Sequence, residues 1–266
     1  MGKKKIKTGR STRPNAGLEQ EYYRRMQALI QEMANSVDYW LSAEYKRQQP
    51  EIVGDASPAK ELTEKLFAIK GRWNTKFGQM AKSIAVWFVN RANTYASHSV
   101  KNKLKADSIT VNMRVTPAVQ NVLDSLYEQQ VSLITSIPEQ YLTQVQTLVQ
   151  QSVVNGRDIG FLKAELKERY RLTENRAKTI ARDQNAKATN AIARERCRST
   201  GITEGIWIHR AGGSKSYRES HISMNGQRFM LSEGGYDSHV QRHIQPGELI
   251  NCKCDFRPVI PQFGNT

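Results

Sequence analysis

Apolar residues recur every three or four positions from Leu18 through Tyr22, Met26, Leu29, Met33, Val37, Trp40 and Tyr45. They do so again from Leu62 through Leu66, Ile69, Trp73, Phe77, Met80, Ile84 and Trp87. A helix turns once in 3.6 residues, so this spacing gathers each set on one face, whereas an extended strand would scatter it to both sides. The first half of the chain is thereby committed to long amphipathic helices. Pro50 closes the first stripe. Ser57-Pro58 opens the second as an N-cap followed by a proline in the first turn, where the missing N–H costs nothing. Gly71 and Gly78 are weak points within it. By the same logic Thr116-Pro117 starts a third helix. Ser136-Ile137-Pro138 starts a fourth, which stops at Asn155-Gly156, a pair suited to a left-handed C-cap.

Beyond this point the pattern predicts a short helix over residues 159–170. A longer one comes next, capped by Thr173, running through Ala177, Ile180, Ala181, Ala188, Ile192 and Ala193 to the neighbourhood of Gly201. The period then changes. Ile202, Ile206 and Ile208 surround Trp207, and glycines at Gly212-Gly213, Gly226 and Gly234-Gly235 punctuate the C-terminal stretch, as short strands and turns require. The expected fold class is mainly α: long helices in the N-terminal part, then a small α+β C-terminal domain. The expected division is a basic disordered tail over 1–16, a helical region over 17–156 and the C-terminal domain over 157–266.

The chain has 266 residues and is 38% hydrophobic, enough to bury one large core or two smaller ones. Its net charge of +15 favours contact with a polyanion, because Lys and Arg displace condensed counterions from phosphates. Residues 1–14 carry Lys3, Lys4, Lys5, Lys7, Arg10 and Arg13 with no acid, the composition of a solvated tail. Over 173–199 the face expected to meet solvent carries Arg176, Lys178, Arg182, Lys187, Arg194, Arg196 and Arg198. Lys3, Lys4, Lys5, Lys7, Arg182, Lys187 and Arg194 are the candidates for nucleic-acid contact. Aromatics are scarce beside them, so backbone contact without base reading is expected. No Gly-rich phosphate loop is present, and no nucleotide cofactor is expected. Three cysteines are too few for a secreted disulfide framework, so a reduced, cytoplasmic origin is expected. No apolar run approaches the roughly 20 residues of a membrane span, and residues 1–10 lack the apolar stretch of a secretory signal.

One ordered series stands out: Ala181-Arg182-Asp183-Gln184, Gly201-Ile202, Trp207, Arg218 with His221 three residues on, Gly226, Pro246-Gly247, and Asn251-Cys252-Lys253-Cys254. Each piece alone is common; their order resembles the Mu F-like phage head morphogenesis family, with a motif core of Trp207, Arg218, His221, Gly226, Pro246, Asn251, Cys252 and Cys254. The resemblance covers roughly the last 110 residues well and the preceding helices only in character. It departs at Ser216-Tyr217, where many relatives carry an Asp or a Thr-Arg pair. It implies a minor head protein acting in capsid or portal assembly without catalysis, with portal and capsid or scaffold proteins and non-specific DNA as partners. It also implies a place in the virion after assembly in the host cytoplasm.

The same residues admit several chemistries. Cys252 and Cys254, with His221, His239 and His243 upstream, supply the sulfur and imidazole ligands of a tetrahedral zinc, and His221, His243, Cys252 and Cys254 are the candidate set for a structural ion. A single residue between the cysteines points them to opposite sides of an extended segment unless the backbone turns. They could equally be small buried residues closing the domain. Arg218, His221 and Asn251 could form a buried polar network tying the Trp207 strand to the C-terminal segment. Gly226 and Gly247 suit turns with positive φ. A His-Asn nuclease site with Asn225 would need a carboxylate for a hard metal. The acids at hand, Glu219, Glu233, Asp237, Glu248 and Asp255, have no repeated spacing. Ser220 and His221 are neighbours and would face apart in a strand, so no catalytic residue is assigned. The alternatives are a metal-dependent nucleic-acid enzyme built on His221, Cys252 and Cys254, and a plain DNA-binding protein.

Overall fold

The computed structural model describes residues 8–47, 58–155, 158–210 and 218–260. Pro50, Ser57, Gly156, Gly212-Gly213, Ser216-Tyr217 and the lysines at 3, 4, 5 and 7 lie outside them. Four long helices lead: α1 (Ala16–Arg47), α2 (Pro58–Ala106), α3 (Pro117–Val154) and α4 (Ile159–Arg198). Then come β1 (Glu204–Ile208), a one-turn helix α5 (Glu219–Ser223), β2 (Arg228–Met230), β3 (Gly235–Asp237), β4 (Arg242–Ile244) and β5 (Asp255–Pro258). This is the expected mainly α chain ending in a small α+β region.

Two expected helix starts lie inside helices. Pro138 sits within α3, where it deprives the Ile134 carbonyl of its N–H partner, a fault costing about 3 kcal/mol in a free helix. The helix continues because Ile134, Ile137 and Tyr141 are all buried on one face, and burial at three successive turns outweighs the lost bond. Thr173 does not cap a new helix. Its hydroxyl donates to the Arg169 carbonyl at 2.8 Å, one turn back, so residues 159–198 form one rod.

The chain folds as two compact units, to both of which the long helices contribute. The units cut across the expected boundaries at 16/17 and 156/157. Residues 20–86 and 128–180 make the helical unit. Its core is the expected stripes: Tyr22, Met26, Met33, Val37, Phe77 and Ile84 are almost wholly buried. Buried polar pairs register the helices, with the Tyr22 hydroxyl donating to Gln130 Oε1 and that of Tyr45 to Ser152 Oγ, each at 2.9 Å. Two stripe members turn outward. Trp40 is 41% and Met80 40% exposed, because Leu41 and Ala81, one residue on, take the inward places. Trp40 instead meets the Arg72 guanidinium, 5.8 Å above its ring.

The other unit takes residues 1–19, 87–127 and 181–266. Its antiparallel sheet runs β2-β1-β5, with Trp207 opposite Phe256 and Gly205 opposite Phe229 and Pro258; β3 and β4 pair separately. Gly205 and Trp207 face inward on β1. There Trp207, Phe229 and Phe256 pack with Val100 and Leu104 of α2 and Ala193 and Cys197 of α4. The expected disordered tail needs correction from residue 8 onward. Thr8 bridges to Val259, the Gly9 N–H donates to the Pro258 carbonyl at 3.0 Å, and Thr12 is buried. β5 is an edge strand with unpaired backbone groups, and residues 8–9 satisfy some of them. Asn15 then caps α1, its Oδ1 accepting the N–H groups of Gly17 and Leu18 at 2.8 and 3.2 Å.

Candidate metal centre

Four short segments of the second unit converge on a buried point. Pro246-Gly247 makes the turn after β4, with the Glu248 N–H donating to the Gln245 carbonyl at 3.0 Å and Gly247 at φ +81°; proline second and glycine third is the type II pattern. The chain turns again at Asn251, which takes φ +61° and is gripped from α4: its N–H donates to Asp183 Oδ1 at 2.9 Å, and Arg182 donates to its side-chain oxygen at 2.6 Å. The Ala181-Arg182-Asp183-Gln184 step and the Asn251-Cys252-Lys253-Cys254 end of the series are thus joined directly. Asn190 adds a bond to the Cys254 carbonyl at 3.1 Å. The Cys252 N–H closes a turn onto the Leu249 carbonyl at 3.0 Å, so the segment is not extended and both thiols point inward.

The two sulfurs meet His221. Its Nδ1 is 3.4 Å from Cys252 Sγ and 3.6 Å from Cys254 Sγ. His221 is carried on α5, not on a strand as the adjacency of Ser220 and His221 suggested, and both residues are buried. On its far side His221 Nε2 lies 3.1 Å from Asp237 Oδ2, supplied by β3, and Asp237 accepts the His239 N–H at 2.8 Å. His209, just past β1, places Nδ1 3.7 Å from Cys254 Sγ. Cys252, Cys254, His221 and Asp237 are 4%, 2%, 2% and 0% exposed, so nothing larger than an ion has access. All three cysteines are free and buried.

The electrostatics favour one thiolate, on Cys252. A hydrogen bond from Cys254, and then one from His221, bring the Cys252 thiol down to about 4 against the opposing effect of burial, while Cys254 is pushed up by its bond to Cys252 and by burial. The Arg210 backbone N–H and the Trp207 indole N–H only partly oppose that rise at Cys254, and the indole has no oxygen or nitrogen partner among the described residues. Burial disfavours the His221 imidazolium, but Cys252 and Asp237 outweigh it and raise its pKa. In chemistry the donor set fits zinc: two sulfurs and an imidazole, with a carboxylate orienting the ring.

The structure sorts the sequence candidates. Cys252, Cys254 and His221 come together; His243 does not, for its Nδ1 faces the Gly234 carbonyl at 3.2 Å and its ring lies edge-on to Tyr236 on an exposed surface. His239 is exposed as well. Sequence reasoning passed over His209, although in a strand it falls two residues after the inward-facing Trp207 and so on the same side. The expected Arg218–His221–Asn251 network is instead three separate attachments: Arg218 donates to the Ile250 carbonyl at 3.0 Å, His221 pairs with Asp237, and Asn251 binds α4. Gly226 takes φ +81° as a turn requires.

The basic face of α4 is smaller than its sequence suggested. Arg196 is 2% exposed, donating to the Arg114 carbonyl at 2.6 Å and to Asn93 Oδ1 at 3.0 Å. Lys187 pairs with Asp183 at 2.8 Å and Arg194 is half-buried, which leaves Arg182 as the exposed member of the three α4 candidates. No helix among the described residues is long and apolar enough to cross a membrane.

Residues 143–257 match the model of the family described as Phage Mu protein F like protein, which bears out the resemblance read from Ala181 to Cys254. An uncharacterized protein of Haemophilus influenzae (strain ATCC 51907 / DSM 11121 / KW20 / Rd) is 29% identical over 247 residues, 90% of this chain. The chain spans about half, 52%, of that relative's length. No solved structure matches.

Proposed function

We propose that this Mu F-like chain is a minor head protein of a tailed bacteriophage, acting in capsid and portal assembly and carried in the virion. The observation that carries this reading is the family match over residues 143–257, within which Arg182 and Asp183 of α4 are hydrogen-bonded to Asn251 beside the cysteines. A phage head morphogenesis family is consistent with a protein that binds and positions and does not turn over substrate. The site agrees with that: His221 is committed on both sides to buried partners, and Asp237 meets it from the nitrogen opposite the sulfurs, where it orients the ring.

Partners are the portal and the capsid or scaffold proteins. Exposed apolar side chains on the helical unit, Tyr39 and Phe67 at 67% and 79% exposure, offer partner helices a place to dock. DNA is met through the backbone alone, by Arg182 and the lysines at 3, 4, 5 and 7, in keeping with the +15 charge. Assembly takes place in the host cytoplasm. The test is co-expression with the portal and capsid proteins encoded beside it, followed by mass spectrometry of purified proheads and virions. The chain is expected at a fixed ratio to the portal. Absence from every particle, with metal-dependent DNA cleavage lost in His221→Ala, would overturn this reading in favour of an enzyme.

A further inference from the structure

His221 Nδ1 faces two sulfurs at once, at 3.4 and 3.6 Å. One imidazole nitrogen carries at most one proton, so His221 Nδ1 can bond only one of the two sulfurs it faces. A cation at the centre would satisfy all three donors. The spacing is that of a coordination polyhedron: with zinc–sulfur and zinc–nitrogen bonds of about 2.3 and 2.0 Å, neighbouring N and S ligands of a tetrahedron stand about 3.5 Å apart. The observed N to S separations of 3.4, 3.6 and 3.7 Å, the last from His209 to Cys254, bracket that value. The second nitrogen of His221 faces Asp237 at 3.1 Å. This is the carboxylate–histidine arrangement that puts the proton on Nε2 and leaves the Nδ1 lone pair for a metal.

We propose that Cys252, Cys254 and His221, which already cluster, hold one zinc ion, and that His209, near Cys254 but outside that cluster, closes onto it as the fourth ligand. The ion is structural. Four protein ligands leave no position for a substrate, and the two thiols and His221 lie within the core. Its place in the fold gives it a task. His209 follows β1, His221 belongs to α5, and the cysteines precede β5, so the ion ties three segments of a module whose strands are only three to five residues long. His243, surface-exposed and turned to the Gly234 carbonyl, is not a ligand. The proposal is independent of the head-assembly reading, since a stapled module could serve any binding protein.

Chain purified from zinc-supplied cells and assayed by inductively coupled plasma mass spectrometry should carry about one zinc per molecule. After stripping with a chelator it should take up cobalt(II), with the thiolate charge-transfer band and intense visible bands of a tetrahedral site. Cys252→Ser with Cys254→Ser should abolish uptake. His209→Ala should weaken it at least tenfold and shift the visible bands, whereas His243→Ala should leave both unchanged. Should a cysteine variant fail to fold, the wild-type protein still reports: zinc should slow alkylation of the two thiols by iodoacetamide at least tenfold. Stripped wild-type protein that takes up neither ion, or alkylation indifferent to zinc, overturns the site. An unaltered cobalt spectrum in His209→Ala overturns the fourth ligand.

Discussion

Gly226 and Gly234 both take positive φ, +81° and +91°, yet their surroundings differ. A Cβ on Gly226 would enter open space, while one on Gly234 would fall 2.2 Å from the Ile244 carbonyl oxygen, where β3 meets β4. The first substitution meets only the conformational penalty of the left-handed region; the second must also move backbone. Gly226→Ala should therefore destabilise by about 1 kcal/mol and Gly234→Ala by about 3 kcal/mol or more. Urea midpoints measured at unchanged m-value would show the contrast, and equal effects would refute it. Trp40 illustrates the same limit of a residue-by-residue reading. It keeps helical spacing with Val37, but Leu41 keeps it too, and only packing decided between them.

Among the elements, α4 departs furthest from its sequence pattern. Its C-terminal half is buried around much of its circumference, so Asn185, Thr189, Asn190, Glu195 and Arg196 are interior alongside Ala188, Ile192 and Ala193. A helix in that position cannot show an apolar stripe and a charged face, and its arginines are split between core and surface. Arg196→Ala should cost roughly 3 kcal/mol, because it strands the Arg114 carbonyl and Asn93 after removing a charged donor to both. Arg198→Ala, two residues on, loses an ion pair to Glu195 from a side chain 44% exposed and should cost about 0.5 kcal/mol or less. Thermal melts of both variants are the measurement, and comparable losses would contradict this account.

For the whole molecule the excess of 40 basic over 25 acidic residues remains the dominant electrostatic fact, even with Arg196 and Lys187 engaged internally. Affinity for duplex DNA should not depend on sequence and should fall steeply with salt. Removing residues 1–7 should lower the log–log slope by about 0.9 for each phosphate that is no longer neutralised. Fluorescence anisotropy across a salt series tests this; binding indifferent to ionic strength, or none at low salt, would leave the charge without that role.

Periodicity and proline placement were enough to identify the helical first half and the change of character after Gly201, because both arise from local backbone geometry and one-sided burial. The ordered motif likewise announced that residues from Ala181 to Cys254 act together. Three things were decided in three dimensions. Pro138 and Thr173 stay inside helices because burial on either side outweighs their local signals, and no local pattern carries that weight. Residues 8–15 are ordered because the edge of β5 and the start of α1 lie beside them, a neighbour more than 200 positions away in one case. The metal candidates were resolved by direction. His239 and His243 are closer in sequence to the cysteines than His209 is, but the turn at Asn251, the hold of α4 on it and the inward face of β1 bring His221 and His209 to the sulfurs and leave the other two outside.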